Sequence, residues 1–230
     1  MNLRKHLLGV VIGAIALGAM APQAIAATPE GDPAGGKFPV AGTATSGKSV
    51  MSTASGMTVE CTAGKGSGQA TSKTTGEGSY SLSGCTTVIL GLPISCTSAG
   101  QPSGTVVTGV SVTHLIYLDE NHTKPGVLAT APASGVFAKF TCGMVTVEVK
   151  GNGVIGEFTA PLCGQTSKTG TVVTQTSSHG TQKYRQIEET GTQYDMTASV
   201  NGGAFETVGT DWTVTGTAAE QSTLTCPEQK

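Results

Sequence analysis

From Phe38 onward the chain alternates apolar and polar residues in short runs separated by turn residues. Across Thr105 to Leu118, the residues Val106, Val110, Val112, Ile116 and Leu118 fall on one face, with Thr108 and His114 between them. Thr105, Ser111 and Thr113 fall on the other. Val136, Ala138, Phe140 and Cys142 repeat the pattern. Val145, Val147 and Val149 do so again, with Thr146, Glu148 and Lys150 pointing the other way. A period of two is the signature of a half-buried strand. Gly151-Asn152-Gly153 and Asn201-Gly202 each sit between two such runs and predict hairpin turns, because Asn and Gly tolerate positive φ. Lys183 to Glu189 is the one short helix candidate, ended by Thr190-Gly191. Gly164 to Gln182 is a polar stretch that reads as a loop with a strand at Val172-Val173. Many short strands at close spacing predict an all-β fold, an antiparallel sandwich or distorted barrel. The expected boundaries are a single domain over 38–226, a flexible Pro/Gly-rich leader over 27–37 and a tail over 227–230.

The first 26 residues read differently. Arg4 and Lys5 precede an uncharged stretch from Leu7 to Met20, and Pro22 and Ala24-Ile25-Ala26 follow. A membrane span needs about 20 apolar residues, so this shorter run with small residues at a cleavage site predicts a signal peptide. The chain is therefore expected to be secreted or extracellular, with its mature start at Ala27 and no stable membrane span.

Composition narrows the partners. Without Arg4 and Lys5 the chain keeps 11 basic against 15 acidic residues, a net charge of −4. The charges are scattered, which argues against nucleic acid, since that partner needs a concentrated positive field. A cell-envelope component or another extracellular protein is the expected partner class. Six cysteines in an exported chain predict disulfides. Cys85 and Cys96 flank a short apolar loop that a local bridge would pin. Cys61 and Cys142 each end an apolar strand run and are expected to meet across the core. Cys163 and Cys226 then remain as a pair. Zinc would need closely spaced thiols, which are missing here, so no metal is expected.

Several motifs invite a chemical reading. Gly42 to Ser49 spells G-x-x-x-x-G-K-S, but no helix follows to cradle a phosphate. Gly151, Gly153 and Gly156 match G-x-G-x-x-G, again with no helix behind them. His114 sits among apolar positions, and Asp119, Glu120 and His122 crowd one turn. Either could serve a small secreted hydrolase, but neither carries a metal-binding or nucleophile spacing. Asn121-His122-Thr123 is a formal glycosylation sequon, and Trp212 is either core or a stacking platform. No catalytic residues and no cofactor are identifiable. The leading expectation is a binding or structural β-domain. An apolar-ligand carrier is a further alternative, and it would require an empty apolar cavity.

One resemblance stands beside these readings. Phe38-Pro39-Val40, Thr43 to Gly47, Val59-x-Cys61-Thr62, Gly84-Cys85-Thr86, Cys96, Gly104-Thr105-Val106, Phe140-x-Cys142 and Gly153-x-Ile155-Gly156 with Pro161 form a series. The series is similar to uncharacterised secreted proteins of high-GC Gram-positive bacteria. The resemblance implies export and agrees with the first two disulfides above; it implies no activity.

Overall fold

The computed structural model describes residues 28–177, 180–187 and 192–227. The expected signal peptide and His179 lie outside these residues. Strand accounts for 64% of the chain, against about 20–25% in an average globular domain. The fold is all-β and antiparallel, as expected.

The strands in chain order are β1 (Glu30–Pro33), β2 (Val40–Thr53), β3 (Thr58–Cys61), β4 (Ala63–Ala70), β5 (Thr75–Ser83), β6 (Thr86–Ile89), β7 (Leu92–Thr97) and β8 (Val106–Val107). They continue as β9 (Ser111–Tyr117), β10 (Pro125–Thr130), β11 (Val136–Cys142), β12 (Val145–Gly151), β13 (Gly153–Ala160), β14 (Thr166–Thr174), β15 (Met196–Val200) and β16 (Glu206–Thr225). Their pairings close two rings. In the first, β2, β4, β5, β9, β10, β13, β14 and β16 pair in that order, and β16 returns to β2. In the second, β2, β3, β6, β7, β11, β12, β15 and β16 do the same.

The two barrels share one pair of long strands. Gly42 to Ser46 of β2 lies beside Val214 to Ala218 of β16 in the first barrel. Ser49 to Thr53 lies beside Val208 to Trp212 in the second. Between them, Gly47 and Lys48 face only Thr213, so β2 carries one extra residue there. Such a bulge bends a strand, and here it falls where β2 leaves β4 and takes β3 as its neighbour. The letters that mimic a phosphate loop are therefore a strand with a bulge. Lys48 is spent on an exposed ion pair with Glu60 at 2.8 Å.

The second barrel is filled. Val59, Phe137, Phe140, Val147, Val149, Met196, Ala198 and Val208 are buried there, together with Cys61, Cys85, Cys96 and Cys142. Two bridges run through this core, and the pairing differs from the expectation. Cys61 bonds Cys85, and Cys96 bonds Cys142. The reason is register: Cys96 of β7 and Cys142 of β11 are direct partners on adjacent strands, with Cα atoms 4.1 Å apart. Cys61 and Cys142 do reach the same core, but each finds a nearer partner. Cys163 pairs with Cys226.

Other local readings are corrected too. Residues 30–33, expected in a flexible leader, form β1 and pair with Ser222 to Thr225 of β16. The run from Thr105 to Leu118 divides into β8 and β9, and Val110 and Val112 are exposed. Gly151-Asn152-Gly153 joins no hairpin; β12 pairs with β11 and β15, whereas β13 pairs with β10 and β14, so the turn passes the chain from one barrel to the other. Asn201-Gly202 does close a hairpin, β15 to β16, with both residues at positive φ. Half of the polar stretch after Gly164 is the strand β14, and residues 183–187 are not helical. Glu188 and Glu189 lie outside the described residues. No described helix is long and apolar enough to cross a membrane.

Peptide mapping without reduction should therefore recover the links Cys61–Cys85, Cys96–Cys142 and Cys163–Cys226. Replacing Cys163 and Cys226 together by Ser opens a loop of 63 positions and should cost up to about 4 kcal/mol in denaturant unfolding. A Cys61–Cys142 peptide would contradict the register described here.

Candidate functional site

In the first barrel the register assigns one face of every strand to the interior. β4 turns Gly64, Gly66, Gly68 and Ala70 inward, opposite Ser46, Ala44, Gly42 and Val40 of β2. On its other side β4 meets Leu82, Tyr80, Gly78 and Gly76 of β5. Leu115 and Thr113 of β9 face Val127 and Ala129 of β10. Val154 and Gly156 of β13, Val172 of β14, and Trp212, Val214 and Gly216 of β16 complete the wall. Eight strands enclose an interior that ordinary side chains just fill. Here Gly and Ala occupy so many inward positions that they do not fill it. The result is a lumen of about 570 Å³.

Some of these glycines are required by close approach. A Cβ on Gly66 would lie 2.6 Å from the Tyr80 ring, and one on Gly68 would lie 2.2 Å from the Glu77 carbonyl oxygen. Gly216 is different. A Cβ there would meet nothing nearer than the Gly170 carbonyl at 3.8 Å, because it would project into the lumen.

The lumen surface is almost wholly apolar. Of the charged residues along it, Glu77 points outward by register, Lys73 is paired with Asp32 and Glu30, and Lys168 donates to the Ala219 carbonyl. On β2, β4, β5 and β16 the outward positions are largely polar: Thr43, Thr45, Lys65, Ser67, Gln69, Glu77, Thr213, Thr215 and Thr217. A lipid-facing barrel has the reverse arrangement, an apolar outer band around a polar interior. Val59, Cys61, Phe140 and Met196 of the second barrel's core form the lumen floor.

At the opposite end lie β1 and the segment that follows β16. β1 extends the wall beside β16, and Lys73 of the β4–β5 turn holds it through Asp32 at 2.6 Å and Glu30 at 3.2 Å. The Lys73 ammonium keeps the Asp32 carboxyl below its ordinary pKa. Beyond Leu224, Cys226 is bonded to Cys163, and the Tyr117 hydroxyl of β9 donates to the Pro227 carbonyl at 3.4 Å. The C-terminal segment thus reaches from β16 to β9, across the ring.

The residues singled out in the sequence lie elsewhere. His114 points away from the lumen, on the face that carries Ile116. That face, the apolar one in the sequence, packs outward: Ile116, Leu118, Leu128 and Ile155 are covered by Tyr184, Ile187 and Tyr194. The cover is fixed by Arg185 on Asp195 at 2.5 Å and by the Tyr184 hydroxyl donating to Glu157 at 2.9 Å. Asp119, Glu120 and His122 do share a turn. However, Asp119 accepts hydrogen bonds from the Thr123 and Lys124 amides at 2.9 and 2.7 Å and from the Thr123 hydroxyl. His122 stacks on Tyr117 at 4.3 Å between ring centroids. Among the described residues no three His, Cys, Asp or Glu side chains form a metal-binding group. Asp211 accepts from the Thr176 amide. Trp212 faces the lumen and meets Tyr80 edge to face at 4.6 Å.

The sequence reading missed the lumen, although a signal was present. Gly64-Lys65-Gly66-Ser67-Gly68 and Gly76-Glu77-Gly78 place glycine at every second residue, the period of one strand face. Glycines so spaced line one face of β4 and β5.

No family model, curated protein or solved structure matches this chain.

The Asp119 turn carries a pH prediction. Burial pushes its carboxyl up, but the Thr123 and Lys124 hydrogen bonds outweigh this and hold it below the ordinary 3.8. A depressed carboxyl stabilises the fold above the unfolded pKa, and that stability is lost as pH falls through the folded pKa. Asp119→Asn should therefore cost about 1 kcal/mol at pH 7 and less near pH 2. Urea unfolding at the two pH values checks this, and an equal loss at both would contradict it.

Proposed function

We propose that this chain is an exported binding protein that holds one small, uncharged, apolar molecule inside its first barrel. The observation that carries the reading is the lumen itself: about 570 Å³ of apolar space within a closed ring of strands. Ligand pockets typically span about 300–1,000 Å³ and are lined mainly by apolar side chains. A native barrel has no structural use for such a space, since filling it would add buried contacts. The apolar lumen surface sets the ligand class. A carboxylate or ammonium placed there would lose its hydration with no partner to replace it.

Export is supported by the leader sequence and by three disulfides, which belong to an oxidising compartment. The bridges leave no free thiol. The second barrel and the bridge at Cys163 then serve the first by fixing the floor and one crossing of its far end.

Trp212 provides the assay, because it is the single Trp and it faces the lumen. Titration with an uncharged apolar probe such as N-phenyl-1-naphthylamine should quench Trp212 emission and saturate at one molecule per chain. Gly216→Leu starts a side chain at a position where its Cβ meets nothing nearer than 3.8 Å. It should weaken binding at least about tenfold while moving the melting temperature by no more than about 5 °C. Unchanged binding in a folded Gly216→Leu protein would sink the proposal.

A further inference from the structure

We propose that the Tyr80 hydroxyl is the polar anchor of the lumen, so that the preferred ligand is an apolar molecule bearing one neutral oxygen, a ketone or an alcohol, placed to accept its hydrogen bond. This rests on the lumen being the binding site. It goes further by naming the group that selects among apolar molecules.

Tyr80 lies on the inward face of β5, in register with Gly66 of β4. Its ring cannot swing away. Gly66 leaves room for it on one side, where a Cβ would come within 2.6 Å, and Trp212 meets it edge to face on another. Its backbone is held by Thr108, whose hydroxyl accepts from the Tyr80 amide at 2.9 Å. A fixed ring means a fixed hydroxyl.

That hydroxyl makes no hydrogen bond with a described residue. Other tyrosines differ: the Tyr117 hydroxyl donates to Pro227, and the Tyr184 hydroxyl donates to Glu157. A phenol in an apolar cavity without a partner forgoes a hydrogen bond that water would have supplied. A ligand oxygen restores it. Burial raises the Tyr80 pKa above its ordinary value, so the group stays a neutral donor. Ligand sites in general combine apolar walls with few, well-placed polar groups.

The other polar atoms of the interior are weaker candidates. Ser46 Oγ and Trp212 Nε1 are sealed against the wall, beyond reach of an occupant. The hydroxyls of Thr174 and Thr210 bond each other. Thr113 Oγ1 lies against Gly76, 3.0 Å from where a Cβ would be, and Thr113→Val tests it as the rival anchor.

The test uses two probes of nearly equal shape, 2-acetylnaphthalene and 2-ethylnaphthalene, in calorimetric titrations of the full chain. Tyr80→Phe keeps the ring and removes only the hydroxyl. It should weaken the ketone about five- to tenfold and leave the hydrocarbon within about twofold. Thr45→Val, on the outer face of β2, should change neither. Equal binding of the ketone by wild type and Tyr80→Phe, or equal weakening of both probes, overturns the anchor while leaving the lumen as a site. Ketone weakening that follows Thr113→Val instead also overturns it. If neither probe binds the folded wild-type protein, the lumen reading falls and the anchor falls with it.

Discussion

The pairing of β2 with β16 holds the two rings in one molecule. These strands are 14 and 20 residues long, against a usual five or six. Each contributes one half to each barrel. The bulge at Gly47-Lys48 lets β2 change neighbours without losing β16. Ring closure removes open edges, which otherwise expose unpaired backbone groups. Both rings depend on this one ladder, so neither barrel closes without it.

The rings then divide the work by what they face inward. In the second, Val, Phe, Met and two disulfides fill the interior. In the first, Gly, Ala and a few aromatics leave it open. The difference is one of side-chain volume, since both rings have eight strands. A hollow barrel loses packing contacts that a filled one keeps. Its stability therefore leans on its backbone ladders, on the shared strands and on the outer cover over Ile116, Leu118, Leu128 and Ile155. The Cys163–Cys226 bridge and the Lys73 ion pairs hold Cys226 and β1 at the far end of the lumen.

The strand content and the class of fold were legible in the sequence, because period-two runs at Val145–Val149 and Phe140–Cys142 report burial on one face. The Asn201-Gly202 turn was legible because positive φ at both positions leaves few alternatives. Three things were not. Disulfide pairing depends on which strands become neighbours, and Cys96 and Cys142 meet only through the β7–β11 register. The direction of β9 was misread because its larger apolar residues pack outward beneath Tyr184, Ile187 and Tyr194, while its lumen face carries Ser111 and Thr113. A hollow interior does not demand large apolar residues, so the usual rule for finding the inside fails there. Gly151-Asn152-Gly153 carries good hairpin chemistry, yet its flanking strands belong to different barrels. The lumen itself was written in alternating glycines, a pattern that also suits turns.

The central claim is that the first barrel is hollow and apolar while the second is filled. A crystal structure of the mature protein under xenon pressure tests this most directly, since xenon enters dry apolar cavities and not packed cores. The account predicts xenon between Trp212 and Gly216 in the first barrel and none among Val147, Phe140 and Met196 in the second. A first barrel collapsed onto its own side chains, or filled by ordered water hydrogen-bonded to its wall, would contradict it.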